Sequence, residues 1–330
     1  SSDGKYAGQV VGGDDGGVTW GGSPDDGDVF GTVLECHEHK AGLVQLDSVP
    51  YGTNGPFSIN FWVKQGQGNT DWVGEFEYIF SHTSTSVTDG PFFPFSENQI
   101  HMFLPKVSHP AHGILRAVVK DSTDLYTGSN SQTFLDSDGS FLDNNPRNLN
   151  GHVDFEDGKW HMVTLTTRIA EDDDGDEDDD DVDEGNPKGY EMYVDGVLAG
   201  EAPPSILWEQ LDDGLDSIPG VDADGGNPLM LDGPIHLCGR ADRDIQRHFG
   251  GKLAHLSLWD DALTPEQIAQ MFTEVMGQEK LEQRCVESDN SGWRTNGKDP
   301  CPFLAISSAP SDVATPSTEP AQKGAPAGSS

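Results

Sequence analysis

The sequence has little positive charge and no long apolar run. It holds 19 lysines and arginines against 57 aspartates and glutamates, which gives a formal net charge of −38 at pH 7. Binding to nucleic acid or to anionic lipid requires clustered basic side chains, so the composition argues against both partners. A membrane-spanning helix needs roughly 20 consecutive apolar residues, and no stretch is that long, so we expect no direct membrane insertion of this segment. A cation-rich setting or simple colloidal solubility accounts for the acidity.

The chain also has no initiator methionine, no charged-then-apolar leader and only four cysteines. We expect either that a signal peptide has been removed or that the chain is a fragment. An even cysteine count fits an oxidising compartment, and the alternative is four reduced thiols in a cytosolic protein. We therefore predict an extracellular or cell-surface protein.

The positions of the four cysteines suggest two disulfides. Cys285 and Cys301 flank a loop of Asp, Asn, Gly and Pro with almost no apolar residues, so a disulfide there would replace the missing core. Cys36 and Cys238 each lie in a strand-like run, and a cross-strand bridge between them is geometrically possible. No CxxC motif occurs, which leaves zinc binding and thioredoxin-like chemistry with little support.

The sequence is rich in turn-forming residues and shows few signals for long helices. The 40 glycines and 21 prolines favour many turns, while 34% hydrophobic residues still allow a core. Strand signals recur at Val29–Cys36, Gly42–Leu46, Phe57–Lys64, Tyr78–Ser81, Ile100–Leu104, Ile114–Lys120, His161–Arg168, Tyr190–Val194, Ile235–Cys238 and Leu253–Trp259. The third of these alternates cleanly, with one face formed by Phe57, Ile59, Phe61 and Val63. Such a density of strands predicts an all-β antiparallel sandwich or barrel.

One helix follows the last predicted strand. Thr264 is a suitable N-cap, Pro265 suits the first helical turn, and Gln267 completes a capping box. Apolar residues then recur at helical spacing on one face: Ile268, Met271, Phe272 and Val275. We predict that this face packs on the sandwich.

By composition the chain divides into four parts. Residues 1–28 form a lead-in rich in Gly and Asp with room for one edge strand, and residues 29–280 hold the regular strands and the helix. Residues 281–306 are predicted to be a Cys-bridged extension, and residues 307–330, rich in Ser, Thr, Pro and Ala, resemble a linker or stalk. Within the main domain, the segment 171–184 has twelve acidic residues in fourteen, which predicts an extended acidic loop insertion between two strands.

Five sequence blocks occur in a fixed order between Val29 and Gly277. They are FSINFWVK at 57–64, DGKWHMV at 157–163, YEMYVDGVL at 190–198, IHLCGR at 235–240 and FGGKLAHLSLWDDALTPEQI at 249–268. Together they resemble the laminin-G-like family of concanavalin A-like domains. The resemblance implies an antiparallel jelly-roll β-sandwich with one short C-terminal helix.

The family resemblance also carries expectations about sites. Relatives often bind Ca²⁺ at a loop rim, and many bind glycans, glycosaminoglycans or proteins there. This sequence departs from the family pattern at Ala254, followed by His255, where many relatives carry Asp, which puts a cation site in that strand in doubt. Trp62, Trp160 and Trp259 are predicted to fill the core or its rim rather than to stack on sugars.

Calcium is the cofactor that the sequence and the resemblance suggest. The ion takes six to eight oxygen ligands, including several carboxylates. Candidate ligands are Asp25 and Asp28 in one loop, and Asp242 and Asp244 just after the strand signal near residue 238. Their spacing alone does not define a cage.

Catalysis requires a separate test, because glycanases and lyases share this fold. Retaining glycoside hydrolases place two carboxylates about 5 Å apart. The nearest pattern here is Glu75-Phe-Glu-Tyr-Ile-Phe, in which Glu75 and Glu77 share a strand face. Retaining glycoside hydrolases of this jelly-roll class carry Glu-x-Asp-x-x-Glu or Glu-x-Asp-x-Glu along one strand. Here the central Asp and the third acid are missing, and Ile79 and Phe80 stand where an acid would fall. We therefore predict that the chain is not an enzyme.

The sequence thus favours a non-catalytic extracellular recognition module that binds carbohydrate through rim loops, with or without Ca²⁺. The alternative is a structural or adhesive component of a cell surface or matrix that binds extracellular protein partners. A second alternative is a polysaccharide-cleaving enzyme of the same fold. Fold alone does not decide among them.

Overall fold

The computed structural model describes residues 8–11, 17–21, 30, 32–37, 42–47, 56–66, 76–83, 99–105, 113–123, 130–136, 155–169, 187–202, 231, 233–240 and 247–277. Within these ranges the chain forms fourteen strands, one α-helix and one short 3-10 turn at Phe155–Asp157.

The strands form two seven-stranded sheets. The first sheet has the order β1-β4-β13-β6-β7-β8-β9, with strands β1 (Gly8–Val11), β4 (Leu43–Leu46), β6 (Phe76–Thr83), β7 (Gln99–Pro105), β8 (Arg116–Thr123), β9 (Asn130–Asp136) and β13 (Ile235–Leu237). The second sheet has the order β12-β11-β10-β5-β14-β3-β2, with strands β2 (Val18–Gly21), β3 (Val33–Cys36), β5 (Ser58–Gln65), β10 (His161–Ile169), β11 (Pro187–Val194), β12 (Val197–Ala202) and β14 (Gly251–Trp259). Neighbouring strands pair antiparallel throughout both sheets. The predicted all-β sandwich is confirmed.

The main core lies between the two sheets and follows from strand alternation. The predicted apolar face of Phe57, Ile59, Phe61 and Val63 is confirmed, since all four side chains are buried in this core. The Phe61 ring lies parallel to the ring of Phe80 from the first sheet, with 6.4 Å between their centres. Burying a side chain of this size contributes about 1.5–3 kcal/mol, so the facing rows of the two sheets supply much of the stabilisation.

A second apolar layer covers the outer face of the second sheet. Helix α1 (Pro265–Met276) begins with the predicted Thr264 N-cap and capping box, and the structure confirms both. Phe272 packs parallel to Trp62, with 5.5 Å between ring centres, and Trp160 belongs to the same layer. Trp259, by contrast, is 41% exposed at the end of β14, so it belongs to the surface rather than the core. In the described part of the chain, α1 included, no helix is long and apolar enough to cross a bilayer.

Two strands lie within the predicted lead-in, where the sequence suggested one. β1 pairs with β4 at the edge of the first sheet, and β2 pairs with β3 at the edge of the second sheet. Strands β9 and β12 were also missed, because neither has a regular apolar alternation. Their pairing partners, β8 and β11, carry the stronger pattern.

One disulfide joins the two sheets. Cys36 at the end of β3 bonds to Cys238, directly after β13, and the two Cα atoms are 5.7 Å apart. Both residues are buried. The bridge suggested by the sequence is therefore confirmed. It connects the two sheets of the sandwich rather than two paired strands. Cys285 and Cys301 lie outside the described residues, as do the predicted acidic insertion 171–184 and the extension and stalk from residue 281 onward.

Candidate functional site

The outer face of the first sheet carries an aromatic cluster, which we call the aromatic face. Strand alternation turns the side chains of Phe76, Tyr78, Phe103 and Val118 away from the main core. They form a separate apolar cluster of their own. The ring of Phe103 lies 5.0 Å from Phe76, nearly edge-on, and 5.0 Å from Tyr78. Three aromatic rings thus form a continuous platform across β6 and β7.

A hydrogen-bonded polar row continues this face. His101 lies between Ser81 and Gln99: its Nδ1 is 3.0 Å from the Ser81 hydroxyl, and its Nε2 is 2.7 Å from Gln99 Oε1. Because the amide oxygen only accepts, Nε2 carries a proton and donates to it. The imidazole also meets the Tyr78 ring edge-on, with 5.5 Å between ring centres. The contacts therefore fix the orientation of His101 beside the platform.

Three of the chain's eight arginines lie at the same end of this face. The guanidinium carbon of Arg240 is 4.9 Å from the centre of the Tyr78 ring, and its Nη1 donates to the Tyr78 hydroxyl at 3.3 Å. Arg247 lies 6.0 Å from the centre of the same ring. Arg116 is the register partner of Phe103 on β8. On its other side, Arg116 is the register partner of Asp136 on β9.

The backbone around the disulfide holds the two arginines at Tyr78. Cys238 has a positive φ of 67°, its N–H donates to the Ile79 carbonyl, and its own carbonyl accepts from the Phe249 N–H. A parallel bridge pairs Tyr78 with His248, directly after Arg247. The segments 238–240 and 247–250 are therefore both tied to β6, and the bond to Cys36 anchors this corner to the second sheet.

Access to the face is uneven. Tyr78, Phe103 and Arg240 are only 7%, 5% and 6% exposed, whereas Phe76 and Arg247 are partly exposed. A ligand would therefore contact Phe76 and Arg247 rather than the buried Tyr78, Phe103 and Arg240. Aromatic rings next to guanidinium and amide groups suit ligands with both apolar C–H faces and hydroxyl groups.

A second polar cluster lies on the second sheet, where His161 bridges two carboxylates. Its Nδ1 is 2.8 Å from Asp195 Oδ2, and its Nε2 is 3.1 Å from Asp157 Oδ1. The other oxygen of Asp195 accepts from the Met162 N–H at 2.9 Å, and the Asp195 N–H donates to the Met162 carbonyl. An imidazolium at His161 donates to both acids at once. The cluster thus connects the 3-10 turn at Phe155–Asp157 and the start of β10 to the hairpin at Asp195.

Electrostatics supports a structural role for this cluster. Partial burial opposes ionisation of Asp157, but the hydrogen bond and charge of His161, with smaller help from Lys159, outweigh it and lower the pKa of that carboxyl. Both ring nitrogens of His161 are engaged by carboxylates, so neither is placed to take a proton from a substrate. In the same sheet, burial and then the hydrogen bond to Glu191 raise the pKa of Tyr193 far above its usual range, which keeps that phenol neutral.

All four predicted calcium ligands lie outside the described residues, so the structure gives no distances among them: Asp25, Asp28, Asp242 and Asp244. Among the residues that are described, no group of three or more His, Cys, Asp or Glu side chains could hold a metal ion. The described part therefore supplies no cage for Ca²⁺, and calcium stays a prediction from the sequence.

Three other residues that the sequence pointed to, Glu77, Ala254 and His255, lie within the described part of the chain. Glu77 is 7% exposed and its carboxylate accepts the Gly250 N–H at 3.5 Å, while Glu75 lies outside the described residues. Ala254, where many members of the laminin-G-like family that the sequence resembles carry Asp, is buried in the layer beneath α1. His255 follows it at a β-bulge with a positive φ of 49°, and its ring meets Phe30 edge-on.

The aromatic face itself was missed at the sequence level. The strand signal at Tyr78–Ser81 does not show which outward positions of β6 and β7 lie side by side, because that depends on the register between the strands. The alternation of Phe76 and Tyr78 on one strand, with Phe103 on the next predicted strand, was the available signal. The arginines could not be added, because only the folded chain brings residues 240 and 247 to Tyr78.

No family model matches the chain, and no curated protein is similar to it in sequence. Among solved structures, the chain is similar to the receptor binding domain of botulinum neurotoxin mosaic serotype C/D, with a TM-score of 0.45 and 11% identity over 82% of this chain and 46% of that one. It is also similar to the binding domain of Paraclostridial Mosquitocidal Protein 1, with a TM-score of 0.43 and 12% identity over 82% of this chain and 48% of that one. The chain thus spans about half the length of these structures. At such identities and TM-scores the likeness assigns neither a family nor a ligand, and the laminin-G-like resemblance rests on the five sequence blocks.

Proposed function

We propose that this chain is a non-catalytic extracellular recognition module that binds carbohydrate at the aromatic face. The observation that carries the proposal is a pair of partly exposed side chains: Phe76, which packs edge-on against Phe103, and Arg247, which lies over the Tyr78 ring. Strand β6 holds Phe76, and the bridge between Tyr78 and His248 ties the segment of Arg247 to the same strand, so little ordering is needed when a ligand binds.

Carbohydrate fits this arrangement better than a purely apolar ligand does. A sugar ring has C–H faces that pack on an aromatic ring, and hydroxyl groups that need hydrogen-bond partners. Phe76 offers the first kind of contact, and the Arg247 guanidinium offers the second. The platform beneath them is fixed by ring packing and by the bond from Arg240 to the Tyr78 hydroxyl.

The buried disulfide supports the extracellular part of the proposal. Disulfides persist in oxidising compartments and are rare in the reducing cytosol. The bond between Cys36 and Cys238 is central to the sandwich rather than peripheral, since it joins one sheet to the other. In the reducing cytosol the same fold would lack this bond.

Glycan binding by the full chain on a glycan array, measured with and without EDTA, tests the proposal. We expect specific signals, a loss of about tenfold in affinity, equal to about 1.4 kcal/mol, on Phe76→Ala, and no loss on Trp259→Ala. Trp259 is the matched control because it is an exposed aromatic residue on the other sheet.

The same experiment separates the alternatives. Silence with and without EDTA would contradict carbohydrate binding and favour an adhesive component with protein partners. Release of reducing sugar that disappears on Glu77→Gln would contradict the non-catalytic role. A role for Ca²⁺ predicts that EDTA removes the array signal and lowers the unfolding temperature, because a ligand that binds only the folded state stabilises it.

A further inference from the structure

The sandwich has two lateral edges, and they differ. At one edge the last strands of the two sheets, β9 and β12, contact each other. At the opposite edge lie β1 in the first sheet and β2 in the second sheet. β1 pairs with β4 and β2 pairs with β3, and neither has a second partner strand among the described residues. One backbone edge of β2 therefore offers N–H and C=O groups for pairing.

Trp20 on β2 is 62% exposed although it lies on the core side of its sheet. Its register partner on β3 is Leu34, which is buried in the main core, and residues directly opposite each other share a face. Val10 on β1 combines the same features, since it is 50% exposed and pairs with the buried Val44. Core-side apolar groups of both edge strands thus remain exposed, and a strand added at this edge would cover them.

Strand β2 has no feature that keeps another chain from pairing with it. Exposed edge strands are commonly blocked by a charged side chain, a proline or a bulge. The strand reads Val-Thr-Trp-Gly, and its four residues pair with β3 in unbroken register. β12, at the other lateral edge, carries Glu201 and pairs with β11 through a register shift. An extended peptide can therefore add to β2 by ordinary strand pairing.

The charge of the surrounding sequence selects the kind of strand. Between Lys5 and Lys40 there is no basic residue, whereas seven acids occur. Acidic pairs stand on both sides of β2 in the chain, at residues 14–15 and 25–26. A second copy of the chain would bring the same acids and a net charge of −38, so repulsion opposes self-pairing. Lysines or arginines on both sides of a β-forming run would be attracted instead.

We infer that the free edge of β2 is a docking site for an extended basic segment of a partner protein, which pairs with β2 and packs an apolar side chain on Trp20. Backbone hydrogen bonds supply affinity, and the exposed ring and the acids supply the preference for an apolar and basic sequence. The site lies in the second sheet, so it is separate from the aromatic face and does not depend on carbohydrate binding.

Calorimetric titration of the full chain with three synthetic peptides tests the inference. The first is acetyl-KKTVTVTKK-amide. The second has the same sequence with every residue of the central run N-methylated, which keeps the charges but removes the backbone donors. The third has glutamate in place of each lysine. We expect the first peptide to bind at least about tenfold more tightly than either of the others, which is about 1.4 kcal/mol of preference.

A tryptophan variant tests the contact with the ring. Trp20→Ala should weaken binding of the first peptide by about tenfold, and because the side chain is mostly exposed the fold should stay intact in thermal unfolding. Trp259→Ala is the matched control, since Trp259 is another exposed tryptophan of the second sheet, 41% exposed at the end of β14, and its loss should leave peptide binding unchanged.

A charge variant tests the acids beside β2. Replacing Asp14 and Asp15 together by asparagine should weaken binding several-fold, because it removes two charges close to the peptide. Replacing Asp260 and Asp261 in the same way lowers the net charge equally at two exposed positions after β14, and it should change binding little. Equal losses in the two double variants would mean that the net charge of the chain, rather than the acids beside β2, attracts the peptide, and would overturn the inference.

Hydrogen–deuterium exchange locates the bound peptide: exchange should slow in β2 and stay unchanged in β12. Equal binding of the N-methylated peptide would overturn the inference, since charge alone would then account for the affinity. Unchanged binding to the Trp20 variant, or no binding of any peptide, would overturn it as well. A dimer in sedimentation whose β2 is protected without peptide would overturn it by showing that a second copy occupies the edge.

Discussion

Arg240 donates from Nη1 to the Tyr78 hydroxyl at 3.3 Å, across 162 positions of the chain. The contact joins the corner after β13 to the aromatic platform on β6. The same corner is closed by the disulfide of Cys238 and by the hydrogen bond from the Cys238 N–H to the Ile79 carbonyl. The organisation of the proposed site therefore depends on contacts that also hold the two sheets together.

Tyr78→Phe tests this contact with the smallest possible change. The ring and its packing on Phe103 remain, but the acceptor of the Arg240 hydrogen bond is removed. We expect a loss of about 1 kcal/mol in the free energy of unfolding, measured by urea denaturation, together with weaker glycan binding. Tyr193→Phe is the control, since it removes a hydroxyl bonded to Glu191 on the other sheet and should leave binding unchanged. Equal binding by the Tyr78 variant and the unaltered chain would show that Arg240 does not position the platform.

The disulfide should matter both for stability and for binding. Replacing Cys36 and Cys238 together by serine opens a loop of 202 residues, and the chain-entropy account gives a loss of about 5 kcal/mol in the free energy of unfolding. We also expect weaker glycan binding, because the corner that carries Arg240 loses its anchor. Urea denaturation and a titration under the same non-denaturing conditions measure the two effects.

A comparison variant separates binding from general destabilisation. Phe272→Ala removes the ring packed on Trp62 beneath α1, far from the aromatic face, and should cost about 3–5 kcal/mol. It should leave glycan affinity unchanged wherever the protein stays folded. If both variants lowered affinity equally, the disulfide would have no particular connection with the site.

The His161 cluster predicts a specific loss of stability in acid. Because the pKa of Asp157 is lowered in the folded chain, its charge stabilises the fold at pH above the usual aspartate value and stops doing so as pH falls through the lowered value. Asp157→Asn should therefore be less stable than the unaltered chain near pH 7. The difference should shrink as pH falls below about 4 and disappear once pH is below the lowered pKa of Asp157.

Urea midpoints measured across this pH range check the prediction. Asp260→Asn, at an exposed position just after β14, is the matched control and should follow the unaltered chain. A constant difference between Asp157→Asn and the unaltered chain at every pH would contradict a role for the charge of Asp157.

The cap of α1 offers a test of how the helix is held. Thr264→Ala removes the side-chain acceptor of the Gln267 N–H and should cost about 1 kcal/mol, whereas Thr264→Ser keeps the hydroxyl and should cost little. Thermal unfolding of the two variants measures the difference. Similar losses for alanine and serine would mean that the hydroxyl does not stabilise the helix end.

Local sequence patterns predicted most of the fold, but not the candidate site. Period-two alternation located β5, and capping residues located α1, because both signals depend on neighbours in sequence. The Cys36–Cys238 bond could be suggested but not established, since proximity across sheets is not encoded locally. The same limit applies to the aromatic face: Tyr78, Arg240 and Arg247 come close only because of the order of strands in the sheet, which no spacing in the sequence shows.

The edge strands β1 and β2 were underestimated because pairing with stronger neighbours, rather than their own pattern, makes them strands.

Ligand binding at the aromatic face is tested most directly by hydrogen–deuterium exchange with and without an array-selected glycan. The glycan should slow exchange in peptides covering β6, β7 and residues 247–250 and leave exchange in β10 and β11 unchanged. Protection confined to the second sheet, or to segments that exclude Phe76 and Arg247, would contradict binding at this face.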